Sequence, residues 1–386
     1  MKIEISDPIL VAESPAGETR WGRYQFPTLD RMGDGIALTF HIAEDSATAL
    51  GVAAEQPNRG ISSDRGRTWS LVRSTEPTDG LLLPNGDRIR IGVAEVTPRS
   101  IPVGELQLPV PVGTLVGTYG QLPYTYYRHN ELPAVLQGVP LARRTLNSNQ
   151  WKVARARLDD PAFQRYTIQE VFPVIWWGDV HLAADRSLLA IVYPCSMQGE
   201  VTCYRSIDAA HSWQPVGRIL YRPDLKADPL GADRVHGFTE PGSLVLRDGS
   251  IVTVLRTTDG LGVGPMYLSR SADQGRSWST PSVLSPTGVM PRLLQLKNGV
   301  IVLSSGRPGV ELRFSFDGQG ESWSEPYRLV PLTSTDVQED TCGYTSLIPH
   351  DDNSFLVAYS WFKRPGPDGQ LHKAILVRQI TVHSDQ

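Results

Sequence analysis

The feature that most constrains the fold is a short segment that occurs four times. SSDRGRTW, SIDAAHSW, SADQGRSW and SFDGQGESW each carry an aspartate (Asp64, Asp208, Asp273 and Asp317) two residues after a serine and five or six before a tryptophan. The aspartate can accept hydrogen bonds from its own turn, and the glycine of three copies adopts positive φ without strain. Each segment therefore predicts a tight hairpin covered by its tryptophan. The second copy has Ala210 at the glycine position, and we expect it to be looser.

A second pattern repeats between these segments: an apolar run, a turn pair and another apolar run. Its six copies are PTLDRMGDGIALTF, LLLPNGDRIRIGV, VHLAADRSLLAIVY, GSLVLRDGSIVTVL, RLLQLKNGVIVLSS and TSLIPHDDNSFLVAY. Most are about 50 to 60 residues apart, which is typical of the blades of a β-propeller. The 35 glycines and 30 prolines also favour many turns. We predict an all-β chain, a single domain over residues 1–386, folded as a six-bladed propeller of four-stranded antiparallel blades.

The longest interval between copies contains LPVPVGTLVGTYGQLPYTYYRHNELPAVLQGVP, a stretch rich in proline, glycine and tyrosine. Loops of this length inside a compact domain usually have a function. We predict an insertion in blade two, at about residues 100–150, and interpret it as a possible lid.

Charge and composition exclude several classes of protein. The chain has 37 basic and 41 acidic residues with no dense basic run, which predicts no nucleic-acid partner. No segment approaches the roughly 20 apolar residues that cross a bilayer, and the N-terminus lacks the apolar core of a signal peptide. We expect no membrane partner and a cytoplasmic protein, or a secreted one if a leader has been removed. The oligomeric state stays open.

The sequence also predicts no metal and no other cofactor. Its three cysteines show no CxxC spacing and favour reduced thiols, and its eight histidines show no HExxH pattern. GxSxG, GxGxxG and P-loop motifs do not occur in the positions that their mechanisms require.

The four hairpin segments on a six-bladed pattern resemble the sialidase (neuraminidase) superfamily of Asp-box, or BNR-repeat, propellers, with this chain as a divergent member. The resemblance covers nearly the whole chain. It implies an exo-acting glycoside hydrolase that releases a terminal acidic, sialic-acid-like sugar from an oligosaccharide or glycoconjugate. In that family three arginines bind the substrate carboxylate, a tyrosine is the nucleophile with a glutamate as its base, and an aspartate is the acid/base.

The resemblance implies roles for five residues in the later blades. FTEPGSLVLRDGSIVTVLRT supplies Glu240 as the base and Arg256 as a carboxylate-binding arginine. SSGRPGVELRFS supplies Arg307 as a second such arginine, with Arg313 at a position that does not bind the carboxylate. CGYTSLIP supplies Tyr344 as the nucleophile.

The first blade departs from the family pattern. Where the family begins with Arg-Ile-Pro, this chain has RYQFPTL, which places Gln25 at the arginine position and Arg23 two residues earlier. In TFHIAEDSATALG we assign the acid/base to Asp45, with His41 as a nearby substrate-binding candidate.

Five further residues begin blades on the side expected to face the ligand. These candidate substrate contacts, for which structural roles remain equally open, are Trp177, Asp179, His181, His236 and Arg292.

These residue types suit an acidic sugar. A carboxylate on the anomeric carbon repels an anionic nucleophile, whereas a tyrosine activated by a glutamate is neutral until it reacts. The planar guanidinium of arginine binds a carboxylate through two parallel hydrogen bonds. Glutamine keeps hydrogen-bond donors but lacks the charge.

Two alternatives stay open. Gln25 motivates the first, a propeller glycosidase or lyase that acts on a uronic-acid-containing glycan with His41 or Asp179 as the acid/base. The second is a non-catalytic glycan-binding propeller, against which the Glu240 and Tyr344 pair argues because binding requires neither a base nor a nucleophile.

Overall fold

The computed structural model of the protein describes residues 2–43, 58–74, 76–91, 100–117, 122–173, 176–193, 196–258 and 264–383. In these ranges the regular structure is strand, apart from three short 3₁₀ helices at His129–Glu131, Ala134–Leu136 and Gly231–Asp233. No helix within these ranges is long and apolar enough to span a bilayer. The prediction of an all-β chain is confirmed.

The strands are β1 (Lys2–Ile5), β2 (Ile9–Glu13), β3 (Gln25–Met32), β4 (Gly35–His41), β5 (Arg59–Ser62), β6 (Ser70–Val72), β7 (Leu81–Leu82), β8 (Arg88–Ile91), β9 (Ser100–Pro102), β10 (Gly113–Val116), β11 (Pro123–Arg128), β12 (Val139–Arg144), β13 (Lys152–Leu158), β14 (Gln164–Thr167), β15 (Val171–Pro173), β16 (Trp177–Leu182), β17 (Leu188–Tyr193), β18 (Val201–Ser206), β19 (Ser212–Ile219), β20 (Phe238–Val245), β21 (Ile251–Thr257), β22 (Met266–Ser271), β23 (Ser282–Ser285), β24 (Val289–Gln295), β25 (Ile301–Gly306), β26 (Val310–Ser315), β27 (Tyr327–Arg328), β28 (Thr345–Asp351), β29 (Ser354–Pro365) and β30 (Leu371–His383).

The strands belong to two compact units, which we describe separately. The first unit spans Met1–Asp45, Val52–Asp79 and Gly288–Gln386, and the second spans Ser46–Gly51 and Gly80–Thr287.

The first unit contains three antiparallel sheets. Their strand orders are β3-β4-β5-β6, β24-β25-β26-β27 and β1-β30-β29-β28, with β2 also paired to β30. Central strands such as β25 are buried along their whole length, since both of their faces pack on other parts of the unit. One core cluster joins Val302 and Phe314 to Phe355 and Leu376, so that the sheet of β24 to β27 packs on the sheet of β28 to β30.

The second unit contains the four-stranded sheet β20-β21-β22-β23 and an eight-stranded sheet in the order β16-β17-β18-β19-β13-β12-β8-β7. The eight-stranded sheet consists of two antiparallel groups of four. They join through one short parallel pairing of β13 with β19, where Leu158 lies opposite Trp213.

The predicted insertion has its own sheets and core within the second unit. β10, β11 and β14 form a three-stranded sheet, and β9 pairs with β15. Tyr127, Leu132, Leu136 and Phe172 form a separate buried cluster. Within the predicted range of 100–150, β12 pairs with β8 of the main sheet, and two strands of this substructure, β14 and β15, follow residue 150. A role as a lid stays a prediction.

All six predicted hairpins are present. The turn pairs connect β3 to β4, β7 to β8, β16 to β17, β20 to β21, β24 to β25 and β28 to β29. The turn residues lie at the tip of each antiparallel pair of strands, as the turn chemistry requires.

The four SxDxGxTW segments each connect the third strand of a sheet to the fourth. In the copy that joins β22 to β23, Asp273 accepts hydrogen bonds from Ser277 N (2.8 Å) and Ser277 Oγ (2.6 Å), which lower the pKa of Asp273 to about 2. The indole of Trp278 donates to the Gly275 carbonyl at 3.0 Å. The predicted hairpin and its covering tryptophan are confirmed here.

The second copy is not looser in its hydrogen bonds, so this prediction is wrong. Ala210 N donates to Ser206 Oγ at 2.9 Å and Ser212 N donates to Asp208 at 2.9 Å, because Ala210 adopts the positive φ, 64°, that glycine takes elsewhere. The difference lies in Trp213. This residue is 0% exposed, and its indole N–H has no hydrogen-bond partner in the part of the chain that the structure describes.

Candidate active site

Three sheets begin with the same backbone irregularity. The first strands β3, β20 and β24 each contain a bulge, and the bulged residues Phe26, Glu240 and Met290 all precede a proline. Their φ angles are 54°, 42° and 43°, a left-handed conformation that non-glycine residues adopt rarely and at a cost of order 1–3 kcal/mol. Such strain persists only where the surrounding structure fixes it, and it is typical of functional sites.

Glu240 and Arg256 form an ion pair in the second unit. The register of β20 and β21 places Thr239 opposite Arg256, and Arg256 Nη1 donates to Glu240 Oε2. The side chain of Arg256 is 7% exposed and that of Glu240 is 11% exposed. The spacing that the sequence shows therefore brings these two predicted site residues into contact. Arg256 already binds one carboxylate, that of Glu240.

Asp179 and His181 contact the same residue of β20. Asp179 Oδ2 accepts a hydrogen bond from Ser243 N at 2.8 Å, and His181 Nε2 lies 2.9 Å from Ser243 Oγ. Burial lowers the pKa of His181. These contacts hold β16 against β20, and binding of a ligand by either side chain stays a prediction.

His236 lies at the beginning of the strand that carries Glu240. Its neighbour Gly237 accepts a hydrogen bond from Thr258 N at 3.3 Å, which ties this loop to the end of β21. The His236 ring is almost buried and packs edge-on against Tyr124, with 4.6 Å between ring centroids. The side chain of Trp177 lies outside the described part of the structure.

Arg307 is the centre of the arrangement in the first unit. Its guanidinium carbon lies 5.5 Å from the centroid of the Trp21 ring and 5.8 Å from that of Tyr344. Its Nε donates to the Cys342 carbonyl at 3.0 Å, and the residue is 5% exposed. Two aromatic faces thus fix the orientation of a buried cation.

Tyr344 belongs to an aromatic cluster, which we define as Trp21, Phe26, His41 and Tyr344. The Phe26 ring packs edge-on against Tyr344, at 4.9 Å between centroids, and against His41 at 5.0 Å. Trp21 lies edge-on to Phe26 at 6.2 Å. The structure therefore brings three predicted residues together, Arg307, Tyr344 and His41. Sequence reasoning missed Trp21 and Phe26, although the residue-proline pair shared with Glu240 was a signal for Phe26.

Two glycines allow Arg307 and Tyr344 to approach each other. A Cβ on Gly306 would lie 2.2 Å from the Cα of Gly343, so that the end of β25 and the turn before β28 touch through their backbones. Arg307 and Tyr344 directly follow these glycines in the chain.

Gln25 occupies the predicted arginine position and is completely buried. It lies opposite His41, and neither its amide oxygen nor its amide nitrogen has a hydrogen-bond partner among the described residues. A buried polar group without a partner costs about 1–3 kcal/mol, which marks the position as unusual. Arg23 lies in the preceding turn and is partly buried.

The remaining predicted residues are placed as follows. Arg292 directly follows the β24 bulge, opposite Ser304. Arg313 forms an ion pair with Glu311 at 3.7 Å. Asp45 lies outside the described residues. Tyr344 and Glu240 belong to different compact units, and their pairing stays a prediction.

Comparisons with known proteins give structural matches only. No protein-family model and no curated protein matches the sequence. The chain is similar to a solved protein of unknown function from Dyadobacter fermentans, at 16% identity over 99% of both chains, with a TM-score of 0.58. This likeness shows a shared fold.

Two sialidases are also similar in structure. The NanB sialidase of Streptococcus pneumoniae is 14% identical over 97% of this chain and 70% of its own, with a TM-score of 0.49. A Trypanosoma rangeli sialidase is 13% identical over 92% of this chain and 53% of its own, with a TM-score of 0.47.

Proposed function

We propose that the protein is an exo-acting glycoside hydrolase of the sialidase type that releases a terminal acidic sugar from glycans. Its three four-stranded sheets, the sheet of β28 to β30 with β1 and β2, and the eight-stranded sheet counted as two would be the six blades of one propeller domain. The observation that carries the proposal is the contact of a half-buried tyrosine with a buried arginine, Tyr344 with Arg307, at the positions that the family resemblance implies.

Arg307 is the anion-binding group in this proposal. The rings of Trp21 and Tyr344 contact the guanidinium from positions 5.5 and 5.8 Å away, and Nε is used by the Cys342 carbonyl. A substrate carboxylate would bind the terminal Nη groups, which donate in the plane of the guanidinium. Arg256 would be the second carboxylate-binding arginine, and it shares its charge with Glu240.

Tyr344 would attack the anomeric carbon. Glu240 would accept the phenolic proton as the bond forms, a step that a positioned base commonly accelerates by about 10²–10⁴. Asp45 would protonate the departing oxygen and then remove a proton from the water that cleaves the tyrosyl intermediate. Two displacements at one carbon retain the anomeric configuration.

Gln25 favours a second candidate substrate. A neutral, buried amide in place of a third arginine lowers the positive charge available to a carboxylate on the anomeric carbon. A uronic acid carries its carboxylate elsewhere on the ring, so that two arginines could suffice. His41, beside Phe26, would then be the acid/base, because Asp179 already accepts a hydrogen bond from the Ser243 backbone.

The test is release of free sugar from α-linked sialosides and from uronic-acid-capped oligosaccharides by the wild type, Tyr344→Phe and Glu240→Gln. Loss of sialic acid release in both variants would support the tyrosine mechanism. Release of a uronic acid that is insensitive to Tyr344→Phe but lost in His41→Gln would support the second candidate. No release from any substrate would overturn both and favour a glycan-binding propeller.

A further inference from the structure

The three-stranded sheet of the insertion has two chemically different faces. Side chains alternate along a strand, so Tyr124 and Tyr126 of β11 lie on one face, and Tyr166 of β14 lies opposite Tyr126 on the same face. Thr114, Thr125 and Thr167 line the other face, with 3.1 Å between the hydroxyls of Thr114 and Thr125. Three tyrosine rings therefore share one face with Leu115, which lies opposite Tyr124, whereas Tyr127 lies on the threonine face.

The tyrosine face has a buried centre and an accessible edge. Tyr126 is 0% exposed, whereas Tyr124 and Tyr166 are partly exposed. Their rings contact one another, with 5.3 Å between the centroids of Tyr124 and Tyr166 and 5.8 Å between those of Tyr126 and Tyr166. Packing alone explains Tyr126, but it leaves two phenol rings in contact with solvent.

This edge is connected to the strand of Glu240 by a short series of contacts. The Tyr124 ring packs on His236, and Gly237, the next residue, accepts a hydrogen bond from Thr258 N. Phe238 N donates to the Gly199 carbonyl at 2.8 Å, which fixes the same loop from its other side. The insertion thus places its tyrosines beside the loop that leads into Glu240 and Arg256, all within the second unit.

We propose that Tyr124, Tyr166 and His236 form a binding subsite, the tyrosine patch, for a neutral sugar ring. Aromatic rings with polar edges suit a sugar, because the C–H face of a pyranose packs on the ring while its hydroxyls bond to phenol and imidazole groups. If the proposed function holds, this ring belongs to the part of the glycan to which the acidic sugar is attached. The patch then determines which glycans the enzyme accepts.

The test separates this subsite from the hydrolysis. Lactose, cellobiose and maltose, which carry no acidic group, are titrated into the wild type, Tyr124→Ala, Tyr166→Ala and Tyr344→Phe, and binding is followed by ligand-observed NMR. We expect at least one disaccharide to bind the wild type and Tyr344→Phe equally. Affinity should fall about tenfold in each patch variant, the size of one lost aromatic contact.

Control variants show whether a loss of binding is specific to the tyrosine patch. Tyr327→Ala removes an exposed tyrosine elsewhere, in β27, and should leave binding unchanged. Tyr124→Phe keeps the ring and covers the case in which Tyr124→Ala does not fold. If a cleavable substrate is found, Tyr124→Ala should raise KM for an oligosaccharide and leave KM for an aryl glycoside of the same acidic sugar unchanged.

Three results would overturn the proposal. The first is no binding of any of the disaccharides to the wild type, even where release of an acidic sugar is observed. The second is equal binding by the wild type and both alanine variants. The third is a change of oligomeric state in those variants with sugar binding intact, which would make the patch a protein interface.

Discussion

Two arginines at the candidate site are held in opposite ways. In the second unit, Arg256 donates to the carboxylate of Glu240 within one hairpin. In the first unit, Arg307 lies between the rings of Trp21 and Tyr344 and donates to a backbone carbonyl. Both are almost completely buried.

The different contacts of the two arginines indicate different roles. An arginine that already binds a carboxylate offers a ligand a shared charge, and it also keeps the carboxylate oriented. An arginine beside aromatic rings is held by cation–π contacts, which do not involve a carboxylate. Under the proposed function, we infer that Arg256 mainly positions Glu240 and that Arg307 binds the substrate carboxylate.

Removal of each arginine is the strongest test of this comparison. Arg256→Leu removes the cation that pairs with the buried Glu240 carboxylate, which should lower the free energy of unfolding by about 3–5 kcal/mol. Arg307→Leu should cost about 1–3 kcal/mol, since it loses a hydrogen bond and two ring contacts. Urea denaturation measures both, and the Glu240→Leu/Arg256→Leu double variant should recover much of the first loss. Equal losses in the two single variants would contradict the comparison.

The second test adds a side chain where the two backbones meet beside Arg307. Gly306→Ala places a Cβ 2.2 Å from the Gly343 Cα, and such overpacking should cost about 3 kcal/mol. Gly249→Ala, at φ +85° with open space around it, is the control and should cost about 1 kcal/mol from backbone strain alone. Thermal unfolding of both variants checks the order, and a smaller loss at Gly306 than at Gly249 would be inconsistent with a tight contact.

Trp21→Leu examines the aromatic support of Arg307. Loss of one ring face should weaken binding of N-acetylneuraminate or glucuronate about two- to tenfold, because a partly desolvated cation–π contact contributes roughly 0.5–2 kcal/mol. Trp151→Leu is the matched control, since the Trp151 ring lies 5.1 Å from the guanidinium carbon of Arg144. Calorimetric titration should show an effect only for Trp21.

The smallest expected effect is a pH dependence on the Glu240 side. Burial lowers the pKa of His181, and the charge of Asp179 partly opposes this shift. In the unfolded chain this histidine has its ordinary pKa of about 6.5, so near that pH the unfolded chain binds more protons than the folded protein. The free energy of unfolding should therefore decrease as the pH is lowered, by about 0.7 kcal/mol or less between pH 7 and pH 6. His181→Asn should remove this contribution in urea titrations at the two pH values. An unchanged slope would show that His181 does not titrate on unfolding.

Local features of the fold could be predicted from the sequence. The six hairpins were predictable because a turn pair between two apolar runs encodes its own register. For the same reason the spacing of Glu240 and Arg256 predicted a contact that one hairpin provides. The four SxDxGxTW turns follow from side chains bonding to neighbouring backbone groups.

Long-range features could not be predicted. Trp21 contacts Arg307, which is far from it in the sequence, and no local pattern encodes that contact. The pairing of β9 with β15 and the parallel joint of β13 with β19 likewise depend on tertiary packing. The expected looseness around Ala210 failed because tertiary burial of Trp213 outweighs the preference of one turn position for glycine.

The pairing of β1 with β30 has a consequence for the order of folding. The first unit combines Met1–Asp45 with Gly288–Gln386, whereas most of the second comes from the continuous segment Gly80–Thr287. On the ribosome the second unit can therefore begin to fold while the first still lacks two of its sheets. Strands β1 and β2 must wait, unpaired, until β30 has been synthesised, whereas β3 to β6 can pair with one another. A chaperone that binds unpaired nascent strands would therefore bind mainly to β1 and β2.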